Sequence, residues 1–305
     1  MIQRKIGLLA SANLLPGEAE KRADAFEFDE ELGALQLAFE QLGMQLEPVL
    51  WDTAESVAAE YDALLPLMVW DYFEGNDARF LNVMKHADTL SRVLNSPETL
   101  RWNSDKSYLE DMAQRGAKVI PTLRVDQVSS QVTDAAFKQF GTDRIVIKPQ
   151  VGGGAWRQAL YTKGDPWPSA EALPPAAALI QPFLPSVVEE GEYSFLYFGG
   201  MFSHALIKNA KPGDYRIQSL YGGTETTYRP SAQEIAAANA ILATLDETPL
   251  YARVDLLRGL DGELALIELE LIEPYLYLPH ADVIDGINQG ALRLGEALLQ
   301  LISGS

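Results

Sequence analysis

Residues 251–274, YARVDLLRGLDGELALIELELIEP, hold two apolar runs of strand length around a short polar break. Asp261 and Gly262 form a dipeptide favoured at the centre of a two-residue hairpin turn. Placing the turn there sets Asp255 opposite Glu268 and Arg253 opposite Glu270. These four side chains then project from one face, while Val254, Leu256, Ile267, Leu269 and Leu271 fill the other. Like charges directly across two strands destabilise the pair, so Asp255 facing Glu268 calls for a cation. Oxygen-only ligands of this kind suit magnesium. The same acids also fit a solvated strand face, and the hairpin alone leaves both readings open.

A second constellation lies in residues 144–157, RIVIKPQVGGGAWR. A mostly buried strand that ends in Lys148 implies an anion at its end, because a buried ammonium is costly without one. Gly152, Gly153 and Gly154 would let backbone amides approach that anion closely. A flexible loop after an edge strand is the alternative. Neither the P-loop spacing nor G-x-G-x-x-G occurs here, so the two familiar phosphate fingerprints are unsupported, and with them a dinucleotide-dependent oxidoreductase. A third group, IKNAKPGDYRIQSLYGG at 207–223, gathers Lys208, Lys211 and Arg216 beside a glycine pair. It reads either as an anion-holding segment or as a surface hairpin with scattered bases.

Composition narrows the class of protein. The 305 residues are 47% hydrophobic, enough for a sizeable core, and carry a formal charge of -19. That field repels phosphate backbones, so nucleic acid is excluded as an expected partner. The absence of cysteine removes disulfides, thiolate nucleophiles and Cys-ligated metals, and is compatible with the reducing cytoplasm, the expected location. The start MIQRKIGLLASANLLPG imitates a leader, but Ser11 and Asn13 interrupt its apolar run. A first strand over Ile6 to Ala10 is therefore expected instead. No stretch reaches the roughly 18 apolar residues of a membrane-spanning helix, so no membrane association is expected.

The first hundred residues alternate as strand and helix: a strand near Lys5 to Ala10, a helix over Glu30 to Leu42, strands at Leu46 to Leu50 and Ala63 to Val69, and a helix over Ala78 to Leu90. This predicts an open, mostly parallel sheet. Ser96 before Pro97 and Ser104 before Asp105 read as helix starts, with Gly116 as a stop. A boundary falls near residue 97. GDPWPSAEALPPAA, 164–177, reads as irregular. ALIQPFL, EYSFLYF and MFSHALIK read as strands, the last two joined by a Gly199–Gly200 turn. Helical spacing covers 231–245 and 282–302. His86, His204 and His280 are expected in ordinary structural roles. Trp70, Asp71 and Tyr72 end an apolar strand where ligands of open α/β sheets bind, and fit a packed aromatic turn equally well. Tyr275 and Tyr277 stay undecided.

Taken in order, VWDYF, RWNSDKSYL, VIPT, IVIKPQVGGG, IQPFLPSVVEEGEYS, AKPGDYRIQSLYGG, ARVDLL and LIELELIEP resemble the ATP-grasp superfamily, nearest its glutathione synthetase-like and O-ureido-serine cyclo-ligase-like branches. The resemblance implies an α/β fold in three parts: a Rossmann-like parallel-sheet domain at 1–97, a small α+β lid at 98–180, and a C-terminal subdomain with an antiparallel sheet at 181–305. It implies ATP and Mg2+, as two ions, with Lys106 and Lys148 on the phosphates beneath the loop of Gly152, Gly153 and Gly154. Gln181 and Phe183 would border adenine, and Glu192 would hold ribose. Asp255, Glu268 and Glu270 match the metal acids, although Glu270 stands where the family commonly has asparagine. Arg216 and Arg253 match arginines at substrate or transferring phosphate. The implied activity is a carboxylate–amine ligase working through an acyl phosphate on a small amino-acid-like substrate, cyclising or joining, as a monomer or homodimer. A non-catalytic nucleotide-binding scaffold is the competing expectation.

Overall fold

The computed structural model describes residues 4–17, 21–217 and 222–304. Met1 to Gln3 of the leader-like start and Gln218 to Tyr221 of the third constellation lie outside these residues.

Chain order in the first unit is β1 (Arg4–Ala10), α1 (Ala25–Gln41), β2 (Met44–Leu50), α2 (Ala54–Val57), β3 (Ala63–Met68), α3 (Asp77–Ala87) and β4 (Arg92–Val93). The strands form a parallel sheet in the order β2-β1-β3-β4. All six residues of β3 are buried, which explains its unbroken apolar run: helices cover both faces of a parallel sheet, so alternation is lost.

Two short helices follow, α4 (Pro97–Asn103) and α5 (Tyr108–Gln114). Ser96 caps α4 by accepting the Thr99 amide. Ser104 does not open the next helix as the sequence suggested. It closes α4, its hydroxyl donating to the Arg101 carbonyl, and Asp105 accepts the Ser107 amide in the turn that follows. Gly116 adopts φ +94° past the end of α5.

The chain then forms β5 (Leu123–Val125), α6 (Ser130–Phe140), β6 (Arg144–Pro149), β7 (Ala159–Thr162) and β8 (Ala178–Pro182). Their sheet runs β5-β8-β6-β7, every pair antiparallel. Residues 164–177 form neither helix nor strand.

The large sheet is built from β9 (Glu192–Phe198), β10 (Met201–Asn209), β11 (Thr224–Tyr228), β12 (Tyr251–Arg258) and β13 (Leu264–Glu270), in the order β11-β10-β9-β12-β13. Helix α7 (Ser186–Glu189) precedes β9, and α8 (Ala232–Leu242) lies between β11 and β12. Helix α8 starts in a Ser231–Glu234 capping box. It packs Ala238 and Ile241 against Val254, Leu256, Leu266, Leu269 and Leu271, covering one face of the sheet. The other face carries Glu192, Ser194, Arg253 and Asp255, and beside them Leu196, Phe198, Leu206 and Tyr251, which belong to a different apolar cluster.

The helix expected over 282–302 begins seven residues later. Residues 283–288 form a ribbon of β14 (Val283–Ile284) and β15 (Ile287–Asn288), and α9 spans Gln289–Ser303. Asp285 and Gly286 take φ of +51° and +80° in the ribbon's turn, a backbone that an α-helix cannot include. Helix α9 returns to the first unit, its Leu294, Leu298 and Ile302 sharing a core with Leu35 and Phe39 of α1. Among the described residues, no helix is long and apolar enough to cross a membrane.

Candidate active site

Strand pairing places Arg253 opposite Glu270 and Asp255 opposite Glu268, the register read from the sequence, although the route to it differs. The loop is Leu260 to Gly262, three residues closed by the Gly259 amide on the Glu263 carbonyl at 2.9 Å. This sets Leu256 opposite Leu266, and a bulge at Ile267 then restores the expected pairs. Ile267 consequently leaves the α8 face and joins Phe183, Leu257 and Ala265 in a separate apolar cluster, a correction to its expected place.

Basic groups meet each acid. Lys106 Nζ lies 3.0 Å from Glu268 Oε1. Arg253 reaches Asp255 Oδ2 at 3.1 Å and also pairs with Glu270. Lys208 Nζ stands between Glu192, 2.6 Å away, and Asp255, 3.4 Å away, and Ser194 donates to Asp255 Oδ1. The cation demanded by Asp255 facing Glu268 is thus supplied by side chains. Among the described residues, no three carboxylates or imidazoles converge as a preformed metal set.

The donors nonetheless fit a hard divalent ion. All are oxygens, and the Glu268 and Glu270 side chains are 31% and 27% exposed while Asp255 is sealed at 2%. Burial pushes the Glu270 carboxyl up to about 7, aided by Asp255 and Glu268 and despite Arg253. That crowding of negative charge is what an added cation would relieve. Burial also opposes ionisation of Asp255 and Glu268, yet Arg253 and Lys208 hold the first, and Lys106 and Lys148 the second, below the usual carboxylate range. Glu192 stays raised because burial outweighs Lys208.

Lys148 is 6% exposed, and its ammonium donates to the Ile267 carbonyl at 3.5 Å. Burial lowers its pKa, and neighbouring Lys106 adds to the shift. A buried ammonium with so weak a partner favours an anionic ligand. Lys106 also donates to the Gly152 carbonyl, tying the glycine loop to the acids. Gly152 and Gly154 have positive φ, and a Cβ on Gly153 would lie 3.2 Å from the Phe73 ring, so the loop needs glycine both for its backbone and for its approach to the first unit. Phe183 packs with Ile217, Leu257 and Ala265 and carries the Arg144 guanidinium 3.9 Å above its ring. Gln181, buried on β8, donates to Thr122 Oγ1.

Lys208 points from β10 to Glu192 and Asp255, because its strand position faces Glu192. Arg216 pairs with Asp214 in its own loop at 2.7 Å. With Tyr215 it lines an open cleft of about 450 Å3 against Leu160, Pro168 and Ala172, the last two from the irregular segment.

The aromatic, aspartate and histidine residues that the sequence singled out take defined places. Tyr277, at φ +50°, lies under both Arg253 and Lys208, 5.5 and 5.8 Å from its ring centre. Asp71 is occupied in structure, accepting from Ser11 and Trp51, while Trp70 packs beneath Arg22. Tyr72 is buried against Phe73 and Phe80. His204 bonds the Leu276 carbonyl and His280 bonds Thr227.

Comparison with known proteins shows what this chain is similar to. The family described as D-cycloserine synthetase DcsG, N-terminal domain, matches residues 6–95. The cycloserine biosynthesis protein DcsG of Streptomyces lavendulae is 28% identical over 289 residues, covering 89% of this chain and 94% of that one. The crystal structure of D-cycloserine synthetase DcsG superposes with a TM-score of 0.78 at 26% identity, covering 98% and 99% of the two chains. The chain is homologous to DcsG and has structural neighbours among the ATP-grasp ligases. A Bacillus anthracis D-alanine–D-alanine ligase complexed with ATP shares this fold at a TM-score of 0.64, 12% identity and coverage of 99% and 98%. The homology to DcsG supports an enzyme that forms carbon–nitrogen bonds.

Proposed function

We propose that the protein is an ATP- and magnesium-dependent carboxylate–amine ligase that closes an amide within one small amino-acid-like substrate. One observation carries the reading: Lys106 and Lys148 flank Glu268 on the same hairpin face that holds Asp255 and Glu270. A triphosphate needs such cations beside metal-binding oxygens. The likeness to DcsG, whose name states synthesis of a cyclic product, favours ring closure over joining two molecules.

In this reading ATP lies between the lid and the large sheet, its adenine in the apolar cluster of Phe183 with Gln181 alongside, its ribose at Glu192, and its phosphates on Lys106 and Lys148. A substrate carboxylate oxygen attacks the terminal phosphorus, the bond to the bridging oxygen breaks, and ADP leaves. A nitrogen of the same substrate then attacks the acyl carbon; phosphate departs with the carbon–oxygen electron pair and the nitrogen loses a proton. Lys148, Arg253 and Arg216 lower the repulsion between the two anions of the first step. Magnesium, when bound by Asp255, Glu268 and Glu270, supplies further positive charge at the phosphates. Closure of the glycine loop shields the acyl phosphate from water.

Phosphate release measured with ATP, magnesium and a panel of amino-acid-like carboxylates tests this. One or more panel members should stimulate turnover. Lys148→Ala should weaken ATP binding, and Glu268→Gln should reduce magnesium-supported turnover about 100-fold or more. ATP binding with no stimulation by any carboxylate, or full turnover in folded Glu268→Gln, overturns the reading.

A further inference from the structure

Strand β13 carries Glu268 and Glu270 and is the edge of its sheet, yet its outward backbone groups are satisfied. Leu266 pairs with residues just ahead of β5, its amide donating to the Lys118 carbonyl at 2.8 Å and its carbonyl accepting the Ile120 amide at 3.0 Å. Further along, no strand follows, and side chains take over. Tyr108 Oη accepts the Leu269 amide at 2.8 Å. Asn103 accepts the Leu271 amide through Oδ1 and donates to the Leu269 carbonyl through Nδ2, both at 2.8 Å. Asn95 donates to the Leu271 carbonyl at 2.8 Å and to the Tyr251 carbonyl at 3.0 Å, and accepts the Leu250 amide.

We propose that Asn95, Asn103 and Tyr108 are positioning residues that replace a missing sheet neighbour and hold the Glu268–Glu270 segment in register with Lys106. The inference rests on the assignment of these acids to magnesium and of Lys106 to phosphate.

The placement supports a coupling role. Asn103 and Tyr108 bracket Lys106 in sequence, and each reaches β13 on the backbone of Leu269, the residue between the two accessible glutamates. The turn between them is itself tied to the glycine loop, since the Lys106 amide donates to the Gln150 carbonyl and Gln150 donates to Asp105. Asn95 and Asn103 are 2% and 8% exposed and Tyr108 is 2% exposed, so their bonds are shielded from water and losing one leaves a buried group unpaired. Side chains hold a backbone in place without adding a strand, which leaves the chain free to turn through α4 and α5 and present Lys106. Support of this kind behind metal ligands sets their orientation.

The test uses full-length Tyr108→Phe, which keeps the buried ring, and Asn103→Ala. Ser186→Ala is the control, because it loses one bond to the Arg258 carbonyl at the far end of the same hairpin. Calorimetric ATP binding is titrated with magnesium, alongside denaturation and amide exchange. Both test variants should need about tenfold more magnesium for half-maximal nucleotide binding. Exchange at Leu269 should quicken about five- to tenfold in Tyr108→Phe. Ser186→Ala should lower stability alone. Test variants that lose stability but keep the wild-type magnesium requirement overturn the inference alone. Wild-type nucleotide binding indifferent to magnesium overturns it together with the functional reading.

Discussion

His204 is buried at 6% exposure, its ring bonded to the Leu276 carbonyl and to Ser203. Burial lowers its pKa to about 4, against about 6.5 in an unfolded chain. Between those values the unfolded chain takes up a proton that the folded chain refuses. The contribution is therefore complete above about pH 6.5 and is lost as pH falls, amounting to about 3 kcal/mol by pH 4. His204→Gln should flatten this component: the difference in unfolding free energy between wild type and variant should shrink steadily from pH 7 to pH 4.5 in urea titrations. A difference that stays constant would contradict it. Arg253 shows the opposite use of burial. Its guanidinium spans Asp255, Glu270 and the Tyr275 carbonyl, a fork that a lysine ammonium cannot reproduce.

Two hairpins show how local backbone detail steers the site. From the Gly199–Gly200 turn, where Phe198 pairs with Met201, even pairing would set Glu192 opposite Ile207. A bulge at Ser203 shifts the rungs, and Glu192 meets Lys208 instead. The β12–β13 hairpin contains two deviations, a longer loop and the bulge at Ile267, that cancel at the acids. The expected pairs were legible because acidic and basic residues alternate with apolar ones, whereas a bulge leaves no periodic mark. Gly191, just before Glu192, has φ +101°, and a Cβ there would lie 2.7 Å from the Lys208 carbonyl and 2.6 Å from Ile207. Gly191→Ala should cost about 2 kcal/mol or more. Equilibrium denaturation measures the cost, and an unchanged midpoint would mean that β10 yields freely.

At the scale of the molecule, α9 fastens the end of the chain to its beginning. Leu298 is fully buried in the core shared with Leu35 and Phe39. Leu298→Ala should destabilise the protein by about 2–5 kcal/mol, and because that core also includes Phe198 and Leu206 of the large sheet, melting should remain a single transition at lower temperature. A separate early transition of the first unit would refute this coupling. What the amino-acid order determined alone is local and periodic: the parallel βαβ start, the acid face of one hairpin, the glycine loop and the ordered motifs of the superfamily. Only the tertiary structure decided which cation answers each carboxylate, that Lys208 meets Glu192, and that Asn103 and Tyr108 stand in for a strand. Those contacts join residues far apart in the chain, and no repeat or spacing encodes a meeting that depends on how separate elements pack.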